Sequence, residues 1–271
     1  MKLLLQSIAN FFRNDGPLLA GSIACFFLLS FIPFCLLLIT IFGYFLGENQ
    51  TFYEFLSTRL TSFLPAATFQ ISQELAALVI YRKIGIITFI IYAFFSYQLY
   101  MAVETAVHAI FREKVEKSLI ISIIKSFAIT TLIAVFIVFS FGATSAVLML
   151  KPIIARFTGL EIGIITGFII RFVIPVFLVF LITTTLYVLL PLDRPTLRSA
   201  LWGGLFTTLF LEAARHLFTI YIIAVAGQYG VIYGPLSSFI IFLLWVFYSA
   251  CIFLLGAEIV SSIKRYGRKK A

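Results

Sequence analysis

Apolar residues fall along this chain in long unbroken blocks rather than in alternation. A spanning helix needs roughly 20 consecutive apolar residues. Six windows meet that length: about 20–46, 84–110, 119–150, 162–190, 199–226 and 234–262. The third is the longest and is expected to tilt or to extend beyond the bilayer. Runs such as "LLITIFGYFL" show no two-residue period, so a membrane β-barrel is excluded. The pattern predicts an all-α, polytopic membrane helical bundle with six transmembrane helices, forming one integral membrane domain over residues 1–271.

Between the blocks, two polar-interrupted stretches also carry helical spacing. Leu4, Leu5, Ile8, Phe11 and Phe12 predict a short helix lying in the interface before the turn "NDGP", with Pro17 in the first turn of span one. The outer loop 47–83 contains "TFYEFLSTRLTSFL" and "TFQISQELAALVIY", separated by Pro65. These predict two amphipathic interfacial helices, although an ordinary packed helical hairpin fits the same pattern. No small-residue cleavage site follows the first apolar window, so that window is expected to be retained rather than removed as a signal.

Composition agrees: the chain is 62% hydrophobic and 11% charged, more apolar than a soluble core of this size could hide. Its net charge of +9 is unevenly placed. Lys2, Arg13, Arg112, Lys114, Lys117, Lys125, Arg194 and Arg198 fall on one side with the basic tail 263–271, against Arg59, Arg82, Lys83, Lys151 and Arg156 on the other. The positive-inside bias therefore places both termini in the cytoplasm. The tail reads as attraction to anionic lipid headgroups, and no basic stripe with interleaved aromatics suggests nucleic acid. Cys25, Cys35 and Cys251 all lie inside spans without a Cys-x-x-Cys pair, so neither a disulfide framework nor a thiolate site follows.

Ionisable groups at bilayer depth are costly and mark functional candidates. They are Glu104 and His108 in span two, Arg171 in span four, Glu212, Arg215 and His216 in span five, and Glu258 in span six. Glu212, Arg215 and His216 follow at i, i+3 and i+4, on one helix face. Counting rise from the helix ends, the seven outline a route from the cytoplasm to the membrane centre, with Arg171 and Arg215 as cations at its far end. The competing structural reading pairs Glu104 with His108, Glu212 with His216 or Arg171, and Arg215 with Glu258 or backbone carbonyls, fixing register alone.

Other chemistry has little support. Both histidines sit within spans, Glu-x-x-x-His is one residue longer than the di-metal bundle motif, and no phosphate-binding glycine loop occurs. No metal, cofactor or enzymatic activity is expected. Pro33, Pro175 and Pro235 are helix-break candidates that could free carbonyls to line a cavity. "FIPFCLLLIT" and "VIPVFLVFLIT", with "ETAVH" and "EAARH", suggest that spans one to three recur inverted in spans four to six, as in secondary transporters. Gly159, Gly163 and Gly167 form a small-residue row suited to close helix packing, within the chain or in a homo-oligomer.

"AGSIACFFLLSFIPF" (20–34) and "YGPLSSFIIFLLWVFYSACIFLLGAEI" (233–259) resemble the first and last spans of the YihY/BrkB family of bacterial inner-membrane proteins. Tyr233, Gly234, Pro235, Trp245, Gly256 and Glu258 fall on the pattern of the final segment, while Cys25 stands where an aromatic residue is common. The resemblance implies an envelope protein, described as a virulence or serum-resistance factor or as a transporter. It also carries an older ribonuclease label, which groups held at bilayer depth do not suit. The expectation is a transporter or flippase of an amphiphilic, anionic envelope molecule or lipid precursor. The alternative is a non-transporting scaffold for envelope assembly.

Overall fold

The computed structural model describes residues 2–46, 85–113, 172–233 and 235–268. The predicted outer loop 47–83, span three, Arg171, the glycine row 159–167 and the end of the basic tail lie outside the described residues. Six helices are described: α1 (Lys2–Arg13), α2 (Gly16–Leu46), α3 (Gly85–Phe111), α4 (Ile174–Leu189), α5 (Leu197–Tyr233) and α6 (Pro235–Arg268). No strand occurs among the described residues, and the fold is a helical membrane bundle.

Two helical stretches, Phe89–Phe111 and Ile240–Tyr266, are each long and apolar enough to cross a bilayer, and α1 with α2 passes the same test as a broken pair. Burial tells the same story from the outside. Phe89, Ile90, Ile91 and Phe94 on α3 are exposed, as are Leu201, Trp202, Leu205, Leu209 and Phe210 on α5. Water would penalise so much contiguous apolar surface, whereas lipid covers it without cost.

The chain divides into two compact units: Met1–Gly16, Glu104–Ala213 and Ile252–Ala271 form the first, Pro17–Val103 and Ala214–Cys251 the second. The second unit is packed mainly by aromatic rings. Ala24, Phe242 and Val246 form its buried cluster, flanked by Phe27, Phe31, Trp245 and Phe247. Phe31 lies 5.2 Å from Phe242, and Phe218 lies 5.1 Å from Trp245, ring centre to ring centre. Such contacts add packing energy where no hydrophobic effect separates helix from lipid.

The first unit buries polar side chains instead, among them Ser7, Glu104, His108, Thr207, Glu258 and Ser261. Here α1 is present as the spacing predicted, but its faces are divided differently. Leu5, Ile8 and Phe12 are exposed, while Phe11 turns inward with Ser7. The chain leaves α1 through Asp15, whose positive φ of 53° closes the helix, and Asn14 N–H donates to the Asn10 carbonyl at 2.9 Å. Gly16 is required by the inward turn, since a side chain there would overlap the Phe11 ring.

The prolines behave individually. Pro33 is buried inside a continuous α2, so the break expected there is absent: the helix resumes its hydrogen bonding on either side of the one missing donor. Pro175 stands in the first turn of α4, just after the π-helical residues Phe172 and Val173, where a missing N–H is no handicap. Pro235 opens α6, where its fixed φ and absent N–H are no handicap.

Candidate functional site

The C-terminal end of α3 is closed by an arginine in the conformation usually taken by glycine. Arg112 has φ 57°, its N–H reaches the Ala109 carbonyl at 3.1 Å, and the Glu113 N–H reaches the His108 carbonyl at 3.0 Å. This is a Schellman closure, which reverses the chain sharply enough to aim Glu113 back along the unit. The Glu113 carboxylate then accepts the backbone N–H groups of Leu192 at 2.9 Å and Asp193 at 3.0 Å. His108 lies in the same clamp, its Nε2 3.1 Å from the Leu190 carbonyl and 3.8 Å from the Glu113 carboxylate. From α6, the Lys264 ammonium donates to the Asp193 carbonyl at 2.6 Å and lies 3.3 Å from the Asp193 carboxylate. The short linker between α4 and α5 is thus held from both sides, and its otherwise unbonded amides are satisfied by charge.

The deepest carboxylate of the unit is Glu258, which is fully buried on α6. Arg265, two turns further along the same helix, donates to its Oε1 at 2.5 Å, and Ser262 stands at 3.5 Å from the same oxygen. Asn14 donates to Oε2 at 3.2 Å from the end of α1. A buried carboxylate without such partners would be strongly destabilising. Thus the end of α1 contributes a polar amide to the interior while the exposed side of the helix is apolar.

Close helix approach completes the unit. The Tyr187 hydroxyl donates to the Phe253 carbonyl at 2.6 Å and pairs with the Thr207 hydroxyl at 2.7 Å. Its ring stacks on Phe253 with centroids 5.1 Å apart. Gly256 makes the arrangement feasible: a Cβ there would lie 3.1 Å from Tyr187 Cζ and closer still to the Tyr187 and Thr207 hydroxyls. Gly203 opposes the Gly256 carbonyl in the same way, at 3.0 Å from where its Cβ would stand.

The candidates named from sequence are distributed over both units. Glu104, His108 and Glu258 are buried in the first, and Glu212 is half-buried there. Arg215 and His216 are exposed in the second unit, on a part of α5 where Leu217, Ile220 and Tyr221 are exposed too. Arg171 lies outside the described residues. Two pairings of the competing structural reading are revised: the cation beside Glu258 is Arg265, where Arg215 was one alternative, and His108 turns to Leu190 and Glu113 rather than back to Glu104.

Sequence reasoning missed Asn14, Glu113, Lys264 and Arg265, because each looked like an ordinary residue at a helix end. A signal did exist for Glu113, which lies within "FREK", where span two meets charge on its inner side.

The virulence factor BrkB family model matches residues 7–271. A UPF0761 membrane protein of Alkalilimnicola ehrlichii is 27% identical over 262 residues, covering 96% of this chain and 58% of its own length. A UPF0761 membrane protein of Azotobacter vinelandii is 45% identical over 78 residues, 29% of this chain and 19% of that protein. One from Legionella pneumophila is 40% identical over 74 residues, 27% of this chain and 18% of its own length. The chain therefore spans less than two thirds of the length of these relatives. No solved structure matches. With a match running almost from end to end, the chain belongs to the virulence factor BrkB family of membrane proteins.

Proposed function

We propose that this protein is a transporter or flippase that moves an amphiphilic, anionic envelope molecule or lipid precursor across the bacterial inner membrane, with both termini in the cytoplasm. The observation that carries the reading is the exposed Arg215 with His216, set among exposed Leu217, Ile220 and Tyr221 within the predicted fifth span. A cation within a spanning helix costs about 2.5–3.5 kcal/mol on insertion scales, so such a residue is by default a functional candidate. An anionic headgroup joined to apolar chains meets both halves of this surface: the charge meets Arg215, and the chains meet its apolar neighbours. Arg171 is the second cation of the reading, and Glu212, Glu104, His108 and His216 balance charge or carry protons as the anion passes.

A second reading has its own support. Glu258 is enclosed by Arg265, Asn14 and Ser262, as expected of a group that fixes helix register in a non-transporting envelope scaffold. Native mass spectrometry of the purified protein and of Arg215→Ala separates the two. The transport reading expects a co-purifying anionic lipid in the parent that is lost in the variant. Identical lipid spectra for both proteins would remove Arg215 from the reading and leave the scaffold in its place.

A further inference from the structure

Beside α5, and separate from Arg215, the first unit contains a groove of about 610 Å³ lined by Arg198, Trp202, Leu205, Phe206, Leu209 and Ile259. That volume lies within the range of about 300–1,000 Å³ typical of small-molecule sites. Thr196 and Ser199 close one end, where their hydroxyls stand 3.1 Å apart at the first turn of α5. From Arg198 to Leu209 the lining extends eleven residues, or about 16 Å at the rise of an α-helix. This is close to half of the roughly 30 Å hydrocarbon core, the depth of one leaflet.

Charge is concentrated at one end of this apolar length. Arg198 is exposed, immediately before the predicted fifth span, and makes no ion pair among the described residues. At the adjoining α6 end, Lys264 is bound to Asp193 and Arg265 to Glu258. Trp202, one turn along from Arg198 and 56% exposed, is the amphipathic ring favoured at headgroup level.

We propose that this groove is a binding site for an anionic glycerophospholipid of the adjacent leaflet, with its phosphate on Arg198 and an acyl chain along Trp202, Leu205, Phe206 and Leu209. The site takes its selectivity from one guanidinium, which binds a phosphate by paired N–H donors. Its apolar length takes any chain that fills one leaflet. The site is independent of the proposed transport, because its lining excludes Arg215 and His216.

The two tryptophans of the chain allow a local test. Trp245→Phe leaves Trp202 as the sole tryptophan, and the protein is reconstituted in phosphatidylcholine vesicles containing brominated phosphatidylglycerol or brominated phosphatidylcholine. One basic contact at a membrane surface predicts that phosphatidylglycerol competes for the quenching position about fivefold better than phosphatidylcholine. Arg198→Gln removes the preference, Arg198→Lys keeps part of it, and Arg194→Gln, outside the groove, keeps it whole. Arg215→Ala also leaves it intact, so failure here and failure of the transport reading are separable. Should Trp245→Phe not fold, subtraction of Trp202→Phe from the parent gives the same signal. Equal quenching by the two lipids in the parent, or an undiminished preference in Arg198→Gln, would overturn the proposal.

Discussion

Replacing Arg265 by Gln tests whether the carboxylate at the centre of the first unit depends on its cation. Glu258 is fully buried, and Arg265 is its one cationic partner among the described residues, at 2.5 Å with a side chain 35% exposed. At an effective dielectric constant of 20, a unit pair about 4 Å apart gains about 4 kcal/mol. Partial exposure of the arginine screens that attraction, and Asn14 and Ser262 keep their hydrogen bonds to the carboxylate in the variant. A hydrogen bond to a charged group is worth about 1.5–3 kcal/mol net, and the lower half of that range, near 2 kcal/mol, fits this geometry. For a chain of this size the loss lowers the apparent unfolding temperature by about 4–8 °C. The measurement is thermal unfolding in a mild detergent, run as a double-mutant cycle with Glu258→Gln. The double variant should be more stable than the sum of the two single losses predicts, because the buried charge and its partner leave together. Strict additivity of the two losses, or an Arg265→Gln protein as stable as the parent, would refute the argument that this pair is coupled.

Gly256→Ala should be at least as damaging, since its new methyl group meets the Tyr187 ring and the Thr207 hydroxyl, and overpacking of this kind costs about 1–3 kcal/mol. Tyr187→Phe in the same background should recover part of that loss in the same unfolding assay, because it removes one of the two clashing hydroxyls. Glu113→Gln can accept with one oxygen only, so one of the Leu192 and Asp193 amides loses its acceptor, at about 1–2 kcal/mol. Hydrogen exchange of the 190–196 linker should accelerate accordingly, and unchanged protection would show that the clamp is not held by Glu113.

Much of the architecture was legible because helix length in a membrane is set by hydrophobic run length. Windows drawn at 84–110 and 234–262 correspond to α3 (Gly85–Phe111) and α6 (Pro235–Arg268). The last helix runs six residues further, since α6 continues past its apolar stretch to bring Lys264 and Arg265 to Asp193 and Glu258. Span five likewise starts earlier and ends later than its window, as α5 (Leu197–Tyr233), with Thr196 bonded to Ser199 at its first turn. The turn "NDGP" was read correctly as the end of a short first helix. What could not be read was the inward rotation of Phe11 and the polar face beside it, because that face is defined by Glu258, 244 residues away from Asn14.

The site was legible in its inventory and not in its pairings. Scarcity of charge in apolar text identifies Glu104, His108 and Glu258 with no structural knowledge, and all three are buried. Their partners are drawn from helix ends, where polar residues are common and carry no signal of their own. The linker clamp shows why: Glu113 and Lys264 meet Asp193 from 80 and 71 residues away, and only the fold brings those positions together. Depth on a helix also says nothing about which face a residue occupies. Arg215 and His216 share their part of α5 with exposed Leu217, Ile220 and Tyr221 and are exposed like them.

Lipid translocation in reconstituted vesicles tests the functional account most directly. A fluorescent anionic phospholipid in the inner leaflet is protected from a membrane-impermeant reductant until it crosses. Parent protein should expose that pool well above the rate of protein-free vesicles, and Arg215→Gln should slow it by about tenfold or more, the loss expected for one charge-assisted contact. Parent vesicles no faster than empty ones, or an Arg215→Gln protein as fast as the parent, would contradict the assignment of Arg215 to a moving anion.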